Sequence, residues 1–214
     1  RKPFYEYIRK FGFGEKSGLS LPGESAGQLK DQKNWTAMSL ASISFGHEIA
    51  VTPIQMVSAL AAIANGGNLM VPQITRALIK NGQVIEQFKP EKIRRVISER
   101  TSRQLVEVLK SVVKTGTGKK AALEGFDVAG KTGTAQKYNM ETRSYSKTAF
   151  ISSFIGFAPA DSPRLVILVM IDNPQGSHWG GVVAAPVFRQ IAKKTLRYLN
   201  VPSSKERVFI LDRA

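Results

Sequence analysis

The residues best suited to chemistry in this chain lie side by side: Gly130, Lys131, Thr132, Gly133 and Thr134. The lysine supplies a positive charge, the threonines supply hydroxyl groups, and the glycines leave the backbone open to a close approach. Such a set of donors suits a carboxylate, or the oxyanion of an acyl-transfer reaction, for which each donor contributes about 3–4 kcal/mol. The same letters also fit a phosphate-binding loop, so two kinds of enzyme must be distinguished.

The phosphate-loop alternative rests on two segments. Residues Gly125 to Thr132 satisfy the pattern G-x-x-x-x-G-K-[ST], and the apolar run from Leu165 ends at Asp172, as a magnesium-binding strand would. A phosphate loop, however, needs a strand before its first glycine and a helix after its lysine. The residues before Gly125 are not typical of a strand, and no apolar helical stripe follows Thr132. We therefore expect one strand from Phe126 to Thr134, with the nucleotide-binding enzyme as the lesser alternative.

Capping and turn signals predict the elements that position these residues. Helices are expected at Pro3–Phe11, at Trp35–Ile43, from the capping box at Thr52–Gln55 to Asn65–Gly67, from Ser98 to Gly116, and at Pro186–Leu199. A hairpin is expected on Asn81-Gly82, between strands at Ile74–Ile79 and Val84–Phe88, with further strands at Phe126–Ala129, Ile151–Phe157 and Leu165–Ile171. The polar segment Gln136–Lys147 would separate the first two of these further strands. Because the links are too short or too polar for helical crossovers, the three strands should be antiparallel.

Composition restricts the function classes. The chain has 214 residues and a net charge of +15, which favours anionic partners. No basic run is interleaved with aromatic residues, so nucleic acid is not an expected partner. With no cysteine and only two histidines, no metal or other cofactor is expected. No apolar run approaches the ~18 residues of a membrane span. The chain opens on Arg1 without a signal peptide, so we expect a piece of a longer protein.

Several longer motifs carry a family resemblance. They are Phe11-Gly12-Phe13-Gly14, Leu21-Pro22-Gly23-Glu24, Ser44-Phe45-Gly46-His47, Val51-Thr52-Pro53-Ile54-Gln55-Met56, Ala64-Asn65-Gly66-Gly67, Gly116-Thr117-Gly118-Lys119-Lys120-Ala121, Ala129-Gly130-Lys131-Thr132-Gly133-Thr134-Ala135-Gln136-Lys137, Phe154-Ile155-Gly156-Phe157-Ala158-Pro159, and Gly180-Gly181 ahead of Ala184-Ala185-Pro186-Val187-Phe188. In this order, and with K-T-G among them, they resemble the C-terminal part of the transpeptidase domain of class B, high-molecular-weight penicillin-binding proteins.

The resemblance implies a fold and residue roles. The fold would be α+β, an antiparallel sheet flanked by helices of the serine DD-peptidase and β-lactamase type, present only as its C-terminal portion. Lys131 would organise the charge of the active site. Thr132, Gly133 and Thr134 would bind the substrate carboxylate, and the Thr134 amide would be an oxyanion donor. His178 and Trp179 match the aromatic wall beside the site, although ordinary packing explains Trp179 equally well.

The nucleophile motif of the family, S-x-x-K, finds only two matches. Ser111 precedes Lys114 near the end of a predicted helix, where the dipole disfavours an alkoxide, and Ser144 precedes Lys147 in a polar segment. No S-x-N occurs. The resemblance therefore implies that the nucleophile and general base lie upstream, outside this chain, and that the fragment alone is inactive. A non-catalytic binding or structural piece is the alternative.

The resemblance also implies organisation and context. Residues 1–125 would be a mainly helical part with a hairpin, and residues 126–214 would hold the active-site strands and the C-terminal helix. Stem peptides of peptidoglycan and β-lactams would be the ligands. The parent would lie at the periplasmic face of the bacterial inner membrane, anchored upstream, in a division or elongation complex. The sequence does not separate these two duties, nor transpeptidase from carboxypeptidase outcomes.

Overall fold

The computed structural model describes residues 1–203, which form helices, short strand pairs and one larger sheet. The α-helices are α1 (Lys2–Lys10), α2 (Ser39–Ser44), α3 (Pro53–Ala64), α4 (Glu99–Lys114), α5 (Gly180–Val183) and α6 (Ala185–Tyr198). The strands are β1 (Gln28–Leu29), β2 (Ile49–Ala50), β3 (Asn68–Met70), β4 (Ala77–Lys80), β5 (Gln83–Gln87), β6 (Lys92–Arg95), β7 (Ala129–Asn139), β8 (Ser144–Ala158) and β9 (Leu165–Asp172). This mixture of helices and antiparallel sheet confirms the predicted α+β class.

The chain forms two compact units, Arg1–Ser102 and a second that starts at Arg103. Along the chain the boundary between them falls within α4, whereas the sequence predicts a division after residue 125. The stretch of the predicted C-terminal part beyond residue 203 lies outside the described residues. None of the described helices is both long and apolar enough to cross a membrane.

In the first unit, α1 packs its aromatic residues on Trp35, whose side chain is 6% exposed. The helix predicted from Trp35 to Ile43 is wrong in its first half. Asp31 caps a 3-10 turn at Gln32–Asn34, and Trp35 leaves that turn with an extended backbone. Its indole Nε1–H donates to the Lys30 carbonyl at 3.0 Å. This local hydrogen bond and the turn before it keep the tryptophan outside α2.

The capping box of α3 is confirmed. Thr52 Oγ1 accepts from the Gln55 amide at 3.3 Å, and Gln55 Oε1 accepts from the Thr52 amide at 2.9 Å. The Gln55 side chain also donates through Nε2 to the carbonyls of Glu15 and Ala26, at 2.7 and 2.8 Å. A side chain that is 2% exposed thus caps the helix and holds two loops on it.

The predicted Asn-Gly hairpin is confirmed as β4–β5. Asn81 and Gly82 both have positive φ, at 52° and 76°, as a tight primed turn requires. Its first strand is shorter than predicted, its second begins and ends one residue earlier than predicted, and the aliphatic side chains near the turn remain exposed on both strands. Two further pairs, β1–β2 and β3–β6, were not predicted, because strands of two to four residues carry little periodicity.

The second unit contains the sheet β7–β8–β9, antiparallel throughout as predicted. The predicted start of its first strand at Phe126 is wrong: Phe126 lies in a turn closed by a bridge to Leu123, and β7 begins at Ala129. The segment Gln136–Lys147 is also not a polar link, because β7 and β8 continue through most of it as a long hairpin.

The core of the second unit lies between one face of this sheet and α6. Phe154 of β8 and Phe188 of α6 are fully buried, with ring centroids 4.7 Å apart. Leu196, Ala192 and Val113 extend this cluster. Cross-strand partners share a face of a sheet. Because Thr132 pairs with Phe154, the middle of β7 is fixed by the buried core.

Candidate functional site

The candidate site is the middle of β7, from Lys131 to Thr134. Within residues 1–203, β7 pairs only with β8, so its other edge is not covered by a strand. An edge strand presents alternate backbone N–H groups outward. Thr132 and Thr134 lie on the face of the buried residues Phe154 and Ser152. Lys131, Thr132, Gly133 and Thr134 are therefore consecutive residues of one edge strand, with the two threonines on one face and Lys131, the partner of Ile155, on the other.

Hydroxyl groups converge beside this edge. Thr132 Oγ1 lies 2.7 Å from Thr117 Oγ1, so one of the two donates to the other. Thr134 Oγ1 accepts a hydrogen bond from the Gly180 amide at 3.2 Å. A hydroxyl that accepts keeps its own hydrogen for another acceptor. The Thr117–Thr132 pair and Thr134 therefore each keep one O–H that can donate to an anion.

Lys131 adds the positive charge. Its side chain is exposed, and Nζ donates to the neighbouring Thr132 carbonyl at 2.8 Å. No carboxylate is paired with this ammonium among the ion pairs of the described residues. An ammonium without a carboxylate partner can bind the carboxylate of a ligand. This ionic interaction would strengthen the binding that the threonine hydroxyls provide.

Glycines allow α5 to approach this strand. A Cβ on Gly180 would lie 2.2 Å from the Ser153 carbonyl oxygen and 2.3 Å from that of Gly133. A Cβ on Gly181 would lie 2.3 Å from the Thr117 carbonyl oxygen. These contacts are with backbone atoms and cannot be relieved by a side-chain rotation. The glycine pair is therefore what brings the Gly180 amide to Thr134 and the Thr117 segment to Thr132.

His178 and Trp179 lie directly before α5 and beside the strand. Ser152 Oγ donates to the His178 carbonyl, and the His178 ring stacks on Phe150 at 4.2 Å with an interplanar angle of 13°. Phe150 is the partner of Gln136 in β7. Trp179 is 61% exposed, which does not support the packing explanation for this residue. The structure thus places both aromatic residues at the flank of the candidate site.

The stretch ahead of β7 is anchored by charge. Asp127 pairs with Lys110 at 2.9 Å and with Lys114 at 3.4 Å, both on α4. The hydrogen bond from Lys110 holds the pKa of the Asp127 carboxyl below its ordinary value, and burial opposes this only in part. The same bond raises the pKa of Lys110. Asp127 is two residues before Ala129, so these bonds hold the chain to α4 directly before the strand begins.

Three contributors to the site are not predicted from the sequence. They are the Thr117 hydroxyl, which lies within a glycine motif, the Gly180 amide and the Ser152 hydroxyl. A threonine between two glycines, Gly116 and Gly118, is the one local signal that could have marked Thr117. The others are contacts between residues far apart in sequence, which a single sequence does not reveal.

Neither serine of the two S-x-x-K matches has the setting of a nucleophile. Ser111 lies in the last turns of α4 and its Oγ donates to the Glu107 carbonyl at 3.1 Å. Ser144 is at the tip of the β7–β8 hairpin, with its Oγ 2.9 Å from Thr142 Oγ1. An activated serine needs an oriented base and a fixed helix start, and neither residue has them.

The phosphate-loop alternative, using Gly125 to Thr132, is wrong. Lys131 lies inside β7, and the strand continues to Asn139 where a phosphate loop would start a helix. Asp172, the candidate magnesium ligand, is instead paired with Lys137 at 2.8 Å. Over residues 1–203 no group of three or more potential metal-binding side chains comes together.

Comparison with known proteins connects this geometry to a family. Residues 1–193 match the model of the penicillin-binding protein transpeptidase domain. Stage V sporulation protein D of Bacillus subtilis is 42% identical over 211 residues, covering 97% of this chain and 32% of that protein. The probable peptidoglycan D,D-transpeptidase PbpC of Pseudomonas aeruginosa is 37% identical over 202 residues, covering 94% of this chain and 34% of that protein.

A solved structure shows the same fold. Penicillin-binding protein 3 of Mycobacterium tuberculosis, crystallised with ampicillin, superimposes with a TM-score of 0.88 at 37% identity, over 95% of this chain and 47% of that one. The chain thus spans about a third of the curated relatives it matches, 32% and 34% of their lengths. By the extent of the family match and by its fold, this chain belongs to the penicillin-binding protein transpeptidase domain family.

Proposed function

We propose that the protein is a peptidoglycan D,D-transpeptidase that works through an acyl-serine intermediate. The observation that carries this proposal is the edge of β7, where Lys131 and the hydroxyls of Thr132, Thr134 and Thr117 stand together in a chain of this family. A D-Ala-D-Ala terminus offers a carboxylate to these groups and an amide carbonyl one residue away. The site thus has the donors that such a substrate needs.

In the proposed reaction, a serine hydroxyl supplied from outside this chain attacks the carbonyl carbon of the penultimate D-Ala. The peptide bond breaks, and terminal D-Ala leaves as the free amine after taking up a proton. An amine of a neighbouring strand then attacks the ester, re-forms an amide and releases the serine. β-Lactams would stop this cycle at the first ester.

Residues of this chain would serve the first step by binding and charge stabilisation. Lys131, Thr132 and Thr134 would hold the terminal carboxylate, with Thr117 keeping the Thr132 hydroxyl in place. The backbone N–H of Thr134 would donate to the oxyanion of the tetrahedral intermediate. Each such donor is worth about 3–4 kcal/mol when it is preorganised, and the core behind β7 supplies that rigidity.

The proposed setting is the periplasmic face of the bacterial inner membrane, in a complex for division or elongation. The net charge of +15 supports a surrounding of anionic polymer and lipid. Mass measurements on cross-linked partners in division-arrested and elongation-arrested cells would separate the two complexes.

The test is intact-mass analysis of the full-length protein after incubation with benzylpenicillin, followed by peptide mapping of the adduct. We expect one adduct on a serine outside this chain, formed more slowly in Lys131→Ala. Lys80→Ala, a lysine in strand β4, is the matched control and should label like the wild type. An adduct on Ser111 or Ser144 would overturn the assignment of the nucleophile. The absence of any adduct would favour a non-catalytic role.

A further inference from the structure

The hairpin formed by β7 and β8 continues well beyond the candidate site and ends in a pair of tyrosines. Tyr138 and Tyr145 are cross-strand partners with ring centroids 5.3 Å apart at 75°. Tyr138 is 49% exposed, and Met140 at the turn is 79% exposed. An exposed tyrosine on the strand that carries the candidate site, with the partly exposed Tyr145 of β8 beside it, suggests a second binding surface.

The tyrosine pair is held in a defined position. The pairing jumps from Gln136 with Phe150 to Tyr138 with Tyr145, so residues 146–149 of β8 lie in an irregular stretch. Ser146 Oγ organises that stretch by accepting from the amides of Thr148 and Ala149, at 3.2 and 2.9 Å. Irregularities of this kind re-aim side chains.

Lys137 connects β7, the other strand of the hairpin, to β9. Its Nζ donates to both carboxylate oxygens of Asp172, at 2.8 and 3.0 Å. Asp172 ends β9, so the base of the hairpin is tied across the whole width of the sheet. The tyrosine pair is therefore an ordered extension of the sheet.

The exposure of β7 sets the direction in which a bound peptide would extend. Ala129 and Gly130, before Lys131, are buried, whereas Thr134 and Ala135 are exposed. With its terminal carboxylate at Lys131 and Thr132, a peptide along this edge would have to run toward Tyr138.

The distance matches the length of such a peptide. From Thr134 to Tyr138 a strand advances about 13 Å, at roughly 3.3 Å per residue. The part of a stem peptide that precedes the scissile bond is about four residues, which span a similar distance when extended. The sugar to which the stem peptide is attached would therefore arrive at the tyrosine pair.

We propose that Tyr138 and Tyr145 form a subsite for the N-acetylhexosamine end of the substrate. The apolar C–H face of a sugar ring packs on an aromatic ring, and the sugar hydroxyls remain in water. This inference rests on the proposed function, because that function places the peptide along β7. The proposed subsite would recognise the glycan part of the substrate, whereas the residues at Lys131 to Thr134 would recognise its peptide part.

The first experiment compares two substrates of the full-length protein: a stem peptide bearing its sugar, and the same peptide without sugar. Tyr138→Leu should raise KM for the sugar-bearing substrate about tenfold, the loss typical of one aromatic contact. KM for the bare peptide and kcat for both should stay at wild-type values. Tyr138→Trp should restore the sugar effect. Tyr198→Leu, an 84% exposed tyrosine on α6, is the control. An equal KM change for both substrates, or none, would overturn the subsite.

The second experiment needs no turnover and separates this inference from the proposed function. Chitotetraose, an N-acetylglucosamine oligomer, is titrated into the full-length protein and followed by NMR. Saturable binding that Tyr138→Leu abolishes and Tyr138→Trp retains would support the subsite, and no saturable binding to the wild type would refute it. Failure of benzylpenicillin to acylate the protein contradicts the proposed function, whatever the sugar titration shows.

Discussion

The two hairpins of this chain, β4–β5 and β7–β8, are built from similar antiparallel ladders but differ in what covers them. In β4–β5 the aliphatic side chains of Ile79, Val84 and Ile85 are 60–66% exposed. In β7–β8 one face is buried under α5 and α6, with Phe154 fully enclosed. Every candidate site residue on a strand belongs to the covered hairpin.

This difference shows how the molecule fixes the position of its donors. A two-stranded hairpin is only marginally stable by itself in water, so β4–β5 is held mainly by its turn and ladder. The buried face of β7–β8 adds side-chain packing and the close contacts of α5. A strand held in this way can keep hydroxyl and amide groups at fixed distances, as preorganised binding requires.

The largest effect is expected from filling the space at Gly180. Gly180→Val would drive side-chain atoms into the backbone of Gly133 and Ser153, so α5 must withdraw from the sheet. We expect the free energy of unfolding to fall by about 3 kcal/mol, at the upper end for overpacking. Chemical denaturation measures this. The same kind of substitution in the uncovered hairpin, Ala77→Val, should change stability by less than about 0.5 kcal/mol. Equal losses in the two variants would remove the distinction between the hairpins.

A smaller effect is expected from Thr117, which contacts Thr132 across the covered face. Thr117→Val keeps the shape of the side chain and removes the hydroxyl bonded to Thr132 at 2.7 Å. The acylation rate of the full-length protein by benzylpenicillin should fall about tenfold, since a lost hydrogen bond costs about 1 kcal/mol or somewhat more. Stopped-flow or mass-resolved acylation would measure it. Thr75→Val, ahead of the uncovered hairpin, serves as the control, and a wild-type rate in Thr117→Val would show that Thr132 needs no such support.

The smallest effect concerns the anchor ahead of β7. Lys110 lowers the pKa of Asp127 in the folded state. The ion pair therefore contributes its full stabilisation at pH values above the pKa of Asp127 in the unfolded chain, about 3.9. That contribution is lost as the pH falls through the lower folded value. Between about pH 5 and pH 2 the wild type should therefore lose more stability than Asp127→Asn. Denaturation at stepwise pH measures the difference.

Glu86→Gln provides the matched comparison for Asp127. Glu86 lies on β5, and the ion pairs seen in residues 1–203 do not include it. Its substitution removes one carboxylate without breaking any of these ion pairs, so it is the control for the loss of a carboxylate alone. A slope in Asp127→Asn that equals the wild-type slope would mean that the pair with Lys110 does not anchor the strand.

Local signals predicted those elements whose determinants are local. The capping box of Thr52 and Gln55, and the turn at Asn81-Gly82, involve residues within three positions of each other, and both formed as expected. The strand through Lys131 was predicted because the flanks of a phosphate loop were absent. Family resemblance supplied the residue types of the site, and the structure places Lys131 to Thr134 on β7 and His178 and Trp179 directly before α5.

The site contacts that were not predicted join residues too far apart in sequence for any short window to contain both. Thr117 meets Thr132, and Gly180 meets Thr134, only after α5 has docked on the sheet. Trp35 was assigned to a helix, but the turn just before it and its indole bond to Lys30, both local, place it outside the helix. The start of β7 was misplaced because the turn at Phe126 has a strand-like composition.

The close backbone contacts at Gly180 and Gly181 also limit which substitutions in this site can be selected during evolution. Under the proposed function, bacteria exposed to β-lactams would gain from changes that slow acylation yet keep cross-linking. No side chain fits at position 180 without moving the strand that holds the substrate. Trp179, one residue earlier and 61% exposed, can be exchanged without such a shift. Resistance substitutions in this loop should therefore collect at Trp179 and spare the glycines.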